Sequence, residues 1–261
     1  MNSVNKTLYI PLYGKAFVSK KGIILKDKKA EEIWENEKFP LKGKSKSKWL
    51  AYYMGMRSAV FDQWLIDQLN EHSDCIILHL GCGLDSRIER VGAAFEQWYD
   101  VDFKAVIDER KRYYRETDSY HMLSANIKDG TFVQALPKAE RAIVVLEGIS
   151  MYITNEELKQ MLAGLNESFL HLSVLVDCYT PLAAKMSKIK NPINDVGVSK
   201  VFGIESPKML EENTGLNFLK EHEITPQYLI NQLSGFEKFI FKFFYAGKMS
   251  KKLYKLYEYE S

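Results

Sequence analysis

Two glycines and one aspartate have the spacing of a site for a nucleotide that carries a ribose. Gly81 and Gly83 directly follow an apolar segment, residues 76–80, and Asp102 lies 19 residues after Gly83, at the end of the next apolar segment, residues 95–101. Glycine lets a backbone approach a ligand closely, because a Cβ there would collide with it. A carboxylate accepts hydrogen bonds from ribose hydroxyls. The pattern therefore predicts a nucleotide cofactor held between two strands.

The glycine-rich turn also bears on which nucleotide is bound. A dinucleotide site favours Gly-x-Gly-x-x-Gly, or Ala in the third place, where a small residue allows close helix packing over a pyrophosphate. The third position here is Ser86, followed by Arg87. Serine is small, so a dinucleotide stays open, although it is less favoured than a cofactor with a ribose and no pyrophosphate. The alternative is that the segment binds no ligand: it would be an ordinary strand-to-helix turn, and the acid at the end of the next strand would be there by chance.

Apolar segments of strand length alternate with helical patterns through the middle of the chain. Strands are predicted at residues 76–80, 95–101, 122–127, 142–146 and 172–178. Such alternation indicates an α/β fold, in which helices cover both faces of a mostly parallel sheet. Asp102, Asn126 and Glu147 lie at the carboxyl ends of these strands. Since ligands of such sheets bind beyond those ends, we expect a cofactor crevice along this rim.

Helical spacing of apolar residues predicts the elements that cover the sheet. Residues 46–69 carry a stripe of aromatic and aliphatic side chains, which we expect to pack against the sheet. A polar helical stretch, residues 106–116, follows the second strand. Thr154 and Glu157 form a capping box, which predicts a helix that begins just after the fourth strand.

The rest of the chain flanks this core. Residues 181–215 interrupt the order of strands, and we interpret this insertion as a substrate cap, because insertions of such length in compact domains are usually functional. Strand-like segments follow at residues 217–224, 236–244 and 253–259. The predicted organisation is one domain over residues 1–261, with a helical extension at 1–72, a cofactor-binding core at 73–180, the cap at 181–215 and C-terminal strands at 216–261.

Composition sets the broad class of the protein. Hydrophobic residues make up 46% of the chain and charged residues 27%, which is typical of a globular domain. The net charge of +2 is too small to indicate a nucleic-acid partner. Three cysteines without a Cys-x-x-Cys pair argue against a metal site and a disulfide framework. No apolar run reaches the roughly 18 residues of a membrane span, and the first residues lack a signal core, so we expect a cytoplasmic protein without a membrane partner.

Five motifs occur in one order along the chain. They are Tyr13-Gly14-Lys15-Ala16, Arg57, Leu80-Gly81-Cys82-Gly83-Leu84-Asp85-Ser86-Arg87, Val101-Asp102-Phe103 and Glu147-Gly148-Ile149-Ser150-Met151-Tyr152. In this order the motifs resemble the leucine carboxyl methyltransferase family, in particular its bacterial branch of tetracenomycin-type polyketide O-methyltransferases. The resemblance implies the class I S-adenosylmethionine methyltransferase fold, which is Rossmann-like and has a seven-stranded sheet with an antiparallel last strand. It also implies S-adenosylmethionine (SAM) as the cofactor.

The resemblance further implies how the methionine end of SAM is held. Lys15 and Arg57 occupy the motif positions that bind its carboxylate, and Glu147 is expected beside this end of the cofactor. A carboxylate needs fixed cations, and an arginine can bind it with two parallel hydrogen bonds. The alternatives are a surface lysine at position 15 and a helix-surface salt bridge at Arg57.

The nucleoside end of SAM is assigned by the same resemblance. Gly81, Cys82 and Gly83 are expected to line the cofactor. Asp102 is expected to bind the ribose beside Phe103. Asn126 and Ile127 are expected to flank the adenine. The family usually has an acid where this chain has Asn126, and an Asn oxygen still accepts a hydrogen bond from the adenine amino group. Lys104 replaces a frequent proline, which affects only the first turn of the following helix.

The chemistry of methyl transfer limits what the acceptor can be. Transfer from a sulfonium is an in-line displacement with a neutral leaving group, so the protein mainly aligns the reacting atoms. A carboxylate acceptor needs no base, whereas a phenol or alcohol must lose a proton. His79 lies inside the first strand and His121 precedes the third, so we expect no histidine base at the rim. We therefore expect a small acidic molecule, with a carboxylate or acidic hydroxyl, that Tyr152 orients.

Other readings of the same residues stay open. Tyr152 is equally compatible with a packed aromatic side chain. The family's other known reaction is methylation of a protein C-terminal carboxylate, and the diverged cap favours a small molecule over it. A catalytically silent SAM-binding module is a further alternative, and a nicotinamide-dependent oxidoreductase is the least favoured.

Overall fold

A single mixed sheet organises the molecule. The computed structural model describes residues 6–190 and 200–261, so the middle of the predicted cap, residues 191–199, lies outside the described residues. In the described part of the chain seven strands pair in the order β3-β2-β1-β4-β5-β7-β6. They are β1 Ile76–Leu80, β2 Gln97–Asp102, β3 Tyr120–Ser124, β4 Arg141–Leu146, β5 His171–Tyr179, β6 Asn217–Glu221 and β7 Tyr254–Glu260.

The pairing of the strands confirms the predicted α/β class. The first five strands, β1 to β5, are parallel to one another, whereas β7 runs antiparallel to both β5 and β6. The chain therefore has the seven-stranded sheet with an antiparallel last strand that the fold of class I methyltransferases requires. The bounds of most strands agree with the sequence prediction within about two residues. The exceptions are β3, which ends at Ser124, before Asn126, and β6, which ends at Glu221 instead of residue 224.

Ten α-helices surround the sheet in the described residues. They are α1 Tyr9–Lys20, α2 Lys28–Glu37, α3 Lys48–Glu71, α4 Arg87–Val91, α5 Lys104–Arg110, α6 Asn155–Ser168, α7 Pro181–Lys190, α8 Gln227–Ile230, α9 Gly235–Phe244 and α10 Lys248–Lys251. The capping box at Thr154 is present, since its side chain accepts from the Glu157 N–H and the Glu157 carboxylate accepts from the Thr154 N–H. No helix of the described residues is long and apolar enough to cross a membrane.

One predicted strand is wrong, and the region 216–261 is not made of strands alone. Residues 236–244 form the helix α9. Their many aromatic residues favour a strand by propensity. However, the two inward-facing residues, Glu237 and Phe241, are four residues apart. Residues with this spacing lie on one face of a helix, and the strand prediction did not take this into account.

The core forms two layers, one on each face of the sheet. Along β1 the side chains alternate, so Ile77 packs with the layer that includes α1 and α3, and Leu78 and Leu80 pack with the layer that includes α6. All five residues of β1 are buried, as expected for a central parallel strand.

Two glycines set how closely the first helices cross. A Cβ on Gly14 of α1 would lie 2.8 Å from the Met54 Cβ, and a Cβ on Gly55 of α3 would lie 2.8 Å from a Val18 methyl carbon. Both contacts are shorter than side chains tolerate, so glycine at these positions allows the close crossing. The crossing brings Lys15 and Arg57, which follow these glycines by one and two residues, to the same side of the sheet rim.

Candidate functional site

A cavity of about 940 Å³ opens where β1, β2, β4 and β5 end. Its wall contains the turn after β1, the end of β2, the turn after β4 and the last residue of β5. This is the rim where the sequence predicts a cofactor crevice. Because each strand contributes its last residues, chemistry-bearing side chains that are distant in sequence meet around one volume.

The glycine-rich turn after β1 is bonded directly to the end of β2. Gly81 and Gly83 have φ values of +66° and +54°, a backbone region that glycine occupies readily. The Gly81 N–H donates to the Val101 carbonyl at 2.7 Å, and the Gly83 N–H donates to the Asp102 Oδ2 at 2.9 Å. The turn thereby holds the Asp102 carboxylate in a fixed position at the cavity wall.

The Asp102 carboxylate is suited to bind hydroxyl groups. Its Oδ1 accepts a second backbone hydrogen bond, 2.7 Å from the Phe103 nitrogen. A carboxylate has about four acceptor positions, so two remain for a ligand. Burial raises the pKa of Asp102 to about 6, against the two backbone donors and Arg110, which lower it. The carboxyl is therefore ionised at neutral pH and gains a proton in mildly acidic solution.

A buried cluster of charges lies beneath the turns. The Lys15 Nζ is 3.0 Å from the Asp85 Oδ1, and their side chains are 3% and 7% exposed. Burial opposes ionisation of Asp85, but Arg90, Lys15 and Arg87 together hold its pKa well below the usual value. Lys15 is therefore part of the floor of the site and is not a surface lysine.

Arg57 joins three strands of the sheet at the cavity. Its Nε donates to the Glu147 Oε1 at 3.0 Å, and its Nη1 donates to the Tyr254 hydroxyl at 2.7 Å and lies 3.0 Å from the Asp177 Oδ2. Among the described residues its Nη2 has no hydrogen-bond partner. Arg57 lines the cavity, and this nitrogen is the part of the guanidinium left for a ligand. The surface salt bridge considered for Arg57 is excluded.

Glu147 is held between two arginines. Its Oε1 accepts from Arg57 and from the Ser58 hydroxyl, and its Oε2 accepts a short hydrogen bond from Arg87. Burial raises the pKa of Glu147, but Arg87 and Arg57 outweigh it and hold the pKa at about 2. Glu147 is therefore a fixed anion that positions Arg57 at the cavity wall.

Asp177 and Tyr254 complete the site from β5 and β7. The Tyr254 hydroxyl donates to the Asp177 Oδ2 at 2.6 Å, and the Gly148 N–H donates to the Asp177 Oδ1 at 2.7 Å. Burial raises the pKa of Asp177 to about 6, against the neighbouring Arg57 and the Tyr254 hydroxyl, which lower it. This pair connects the turn after β4 to the last strand of the sheet.

The wall near β5 and β7 is apolar and aromatic. The Tyr254 ring contacts Tyr53 and Tyr179, with centroid distances of 6.1 and 5.1 Å. Further wall residues of this kind include Leu50, Met54, Tyr152, Met186, Phe244 and Tyr245. This part of the cavity would accept an apolar or aromatic ligand, since it offers large hydrocarbon area and few charges.

Most residues predicted from the sequence line the cavity. Those found in its wall are Lys15, Arg57, Gly81, Cys82, Gly83, Asp102, Phe103, Ile127, Glu147 and Tyr152. Asn126 is the exception, because the structure does not bring it to the wall. Its side chain is exposed and its Oδ1 accepts from the Lys128 N–H, which caps the short 3₁₀ helix Ile127–Asp129. An earlier end of β3 than expected explains the displacement.

Sequence reasoning missed Asp177 and Tyr254. Asp177 lies one residue before the end of the predicted fifth strand, so the rule that selected Asp102 and Glu147 would also have found it. Tyr254 carries no such signal, because its place beside Arg57 depends on the insertion of β7 into the sheet. His79 is in the wall, but its Nδ1 lies 3.0 Å from the Asp100 carboxylate and its Nε2 lies 3.2 Å from Arg87 Nη1.

Comparison with known proteins identifies the class to which this fold and site belong. The sequence model of the leucine carboxyl methyltransferase family matches residues 3–166. This is more than half of the chain, so the protein belongs to that family and is a SAM-dependent methyltransferase.

Two curated relatives are similar over a large part of the chain. The tetracenomycin polyketide synthesis O-methyltransferase TcmP of Streptomyces glaucescens is 29% identical over 186 residues, 70% of this chain and 69% of the relative. The S-adenosyl-L-methionine-dependent methyltransferase dpfgK of Gibberella zeae is 23% identical over 167 residues, 58% of this chain and 56% of the relative. The chain thus spans about half the length of the second relative.

Solved structures share the fold at low sequence identity. The magnesium protoporphyrin IX methyltransferase of Synechocystis PCC 6803, solved with bound SAH, has a TM-score of 0.53 at 11% identity, covering 94% of this chain and 96% of its own. A SAM-dependent methyltransferase of Mesorhizobium loti has a TM-score of 0.53 at 10% identity, covering 77% of this chain and 98% of its own. At these identities the likeness concerns the fold alone.

Proposed function

We propose that the protein transfers the methyl group of SAM to a carboxylate or an acidic hydroxyl of an apolar small molecule. The observation that supports this proposal is that one cavity has a charged part and an aromatic part of its wall. Its wall is charged at the ends of β1, β2 and β4 and aromatic near β5 and β7. One volume therefore suits a polar cofactor next to an apolar acceptor.

The charged part of the wall fits the groups of SAM. Asp102 has acceptor positions left for the two ribose hydroxyls. Phe103 and Ile127 are apolar neighbours for the adenine ring, and the turn at Gly81 admits a close backbone approach. These residues hold the nucleoside end of the cofactor.

The methionine end of SAM is assigned to the cations of the cavity. The free Nη2 of Arg57 donates to the methionine carboxylate, and Lys15 supplies a second positive charge. Glu147 acts through Arg57, since its carboxylate fixes the guanidinium that meets the ligand. When bound, the cofactor supplies a methyl group activated by a positive sulfur.

The state of the polar groups favours an acceptor that needs no base. Both ring nitrogens of His79 are engaged, and burial lowers its pKa. Glu147 is held as an anion by two arginines and has a pKa of about 2, so it is a poor proton acceptor. A carboxylate is already ionised at neutral pH, and an acidic hydroxyl loses its proton readily.

Tyr152 is assigned to the acceptor. It follows the turn after β4 by way of the short 3₁₀ helix Ser150–Tyr152, and it lines the cavity next to Thr7. Burial raises the pKa of the Tyr152 hydroxyl, which therefore stays protonated and acts as a hydrogen-bond donor. Donation to an acceptor oxygen would fix the line along which that oxygen meets the methyl group.

The experiment measures transfer of labelled methyl from SAM to matched pairs of aromatic compounds. Each pair has the same ring system and carries either a carboxylate or a non-acidic alcohol. We expect methylation of the acids, seen as methyl esters that mild base hydrolyses. Exclusive methylation of the alcohols would contradict the acidic acceptor.

Two further measurements separate the alternatives. A peptide that ends in a leucine carboxylate tests the protein substrate, and its methylation in preference to the small acids would contradict the proposal. Calorimetric titration with SAM, SAH and NAD tests the cofactor independently of any acceptor. Binding of SAM and SAH but not NAD is expected, and binding of SAM without transfer to any probe would favour a silent module.

A further inference from the structure

The helix α9 presents an unusual row of aromatic side chains on its outer face. Phe236, Phe239 and Phe243 are 75%, 66% and 68% exposed. They are three and four residues apart, so the helix places them in one stripe. Aliphatic or aromatic side chains are scattered singly on most protein surfaces, whereas a continuous stripe of this kind marks a surface that contacts something apolar.

The opposite face of α9 fixes the helix in this orientation. Phe241 is fully buried and packs against Tyr52 with a centroid distance of 6.2 Å. Glu237, the one acid of the helix, accepts from Lys21, Lys48 and Tyr52 at 3.1, 2.7 and 2.7 Å. The helix is therefore anchored by its inner face, and it cannot turn the phenylalanines inward without breaking these contacts.

After Glu237, every charged residue of α9 and of the segment that follows, up to residue 252, is a lysine. Lys238 and Lys242 lie on one flank of the phenylalanines, and Lys248 and Lys252 follow in the chain. None of these four lysines forms an ion pair with a described residue. Glu237 is turned inward, so the outer face of α9 combines aromatic rings with uncompensated cations. This combination is typical of helices that lie in the surface of an anionic membrane.

The stripe also lies next to the cavity. Phe244 and Tyr245, at the end of α9, line the cavity wall. From α7, Met186 lines the same wall and is 50% exposed, and Leu182 on the same helix is exposed as well. The Phe243 and Phe244 rings are 4.8 Å apart between centroids, so the stripe of α9 is connected to the cavity wall through Phe244.

We propose that α9 binds the surface of an anionic lipid bilayer. Phe236, Phe239 and Phe243 enter the boundary between headgroups and acyl chains, and Lys238 and Lys242 meet the lipid phosphates. The absence of a spanning helix among the described residues is compatible with this contact, because a peripheral helix lies along the surface. The proposal differs from the expectation, made from the sequence, that the protein has no membrane partner.

A second copy of the chain is a poorer occupant of the same face. In a symmetric dimer the same patch meets itself, so Lys238 and Lys242 of both copies would come together without an acid to compensate them. A lipid surface rich in phosphates accepts both the rings and the lysines. The proposal concerns binding alone and does not depend on which acceptor is methylated.

The experiment is flotation of the full chain with vesicles. Vesicles of phosphatidylcholine are compared with vesicles that also contain phosphatidylglycerol. We expect binding to the anionic vesicles, weakened by roughly tenfold or more in F239S/F243S. K238Q/K242Q should lose on the order of thirtyfold on anionic vesicles and show no change on neutral ones, since each lysine near an anionic surface contributes about fivefold.

Control variants distinguish this contact from non-specific hydrophobic binding to the vesicles. Leu170 is 69% exposed in the turn between α6 and β5, and L170S should leave vesicle binding unchanged. Far-UV circular dichroism and thermal melting should match the parent for every variant, because the altered side chains are largely exposed. Failure to float with either vesicle overturns the proposal. Self-association that F239S/F243S abolishes, without vesicle binding, assigns the face to a second copy instead.

Discussion

The ammonium group of Lys15 forms a buried ion pair with Asp85, 3.0 Å away, beneath the glycine-rich turn that follows β1. The pair connects α1 to the loop that the cofactor would contact, although α1 precedes the alternating strands and helices in the sequence. The helical extension is therefore built into the floor of the site. Lys15 should therefore contribute to the stability of the fold.

Lys15→Met should destabilise the fold by about 3 kcal/mol, because it removes a buried cation and leaves Asp85 with fewer opposite charges. Urea denaturation measures this loss. Lys20→Met provides the matched control on the same helix. Its exposed pair with Glu35 should contribute less than about 1 kcal/mol. Equal losses for both variants would show that the Lys15 pair is no stronger than a surface pair.

Asp102→Ala should weaken SAM binding by about 2–4 kcal/mol while the protein stays folded, since it removes a charged acceptor from the ribose. Calorimetric titration gives the affinity and thermal melting gives the stability. Asp108→Ala, which alters an exposed acid on α5, serves as the control. A variant that unfolds would instead make Asp102 a structural residue.

SAM affinity should fall as the pH falls through about 6, because Asp102 gains a proton there and loses its charge. Folding responds with the opposite sign. A carboxyl whose pKa is raised from 3.8 to about 6 in the folded state binds its proton more tightly than in the unfolded chain, so acidification between those values stabilises the fold. Asp177, also raised to about 6, contributes in the same direction. Affinity that is flat from pH 7 to 5 would contradict the assignment.

Arg57→Lys should weaken binding of SAM far more than binding of adenosine, which lacks the carboxylate. A lysine at position 57 keeps one positive charge near Glu147 and Asp177. An alanine there would remove this charge from two buried carboxylates and lower the stability of the fold by about 3–5 kcal/mol. The lysine variant therefore isolates the loss of the guanidinium geometry. Equal losses for both ligands would mean that Arg57 acts through packing.

Tyr152→Phe should lower methyl transfer by at least about tenfold and leave cofactor affinity nearly unchanged, because it removes one hydrogen bond to the acceptor. Single-turnover transfer measured beside cofactor titration separates the two effects. Tyr113→Phe is the control, since that hydroxyl bonds to Glu37 and Tyr113 is absent from the cavity wall. Unchanged transfer in Tyr152→Phe would return Tyr152 to a packing role.

Gly203→Ala should destabilise the protein by more than about 1 kcal/mol, because the new Cβ would lie 2.6 Å from the Thr180 carbonyl at the start of α7. Gly164→Ala is expected to change the stability of the fold in the opposite direction. Gly164 lies within α6 with open space around it, so alanine should stabilise the helix by up to about 1 kcal/mol. Thermal melting of both variants tests whether residue 203 is packed against the segment before α7.

The local parts of the site were predictable because one short segment determines each of them. The turn at Gly81 and Gly83 follows a buried strand, and Asp102 follows the next, so strand ends alone place them on one rim. The same rule applied to Asp177 would have succeeded. Asn126 was misplaced because β3 ends at Ser124, and strand ends are set by pairing with β2 rather than by the residues of β3 themselves.

The remaining parts depend on contacts between distant segments. Tyr254 was not predictable, because nothing near it in sequence indicates that β7 inserts between β5 and β6. The charge cluster around Asp85 and Glu147 likewise requires α1 and α3 to cross beside the sheet. α9 was mistaken for a strand because its phenylalanines favour a strand by propensity. The four-residue spacing of Glu237 and Phe241, which both contact Tyr52 of α3, is the signal for a helix.

The hydrogen bond from Arg57 to Tyr254 closes a loop of 197 residues. During synthesis the aromatic wall of the cavity is therefore incomplete until β7 has left the ribosome, and contacts of such long range fold slowly. Until then Arg57 and Asp177 lack the Tyr254 hydroxyl, the hydrogen-bond partner that they share. A ligand that binds only the completed pocket would consequently stabilise chains that have already folded and would not assist earlier steps of folding.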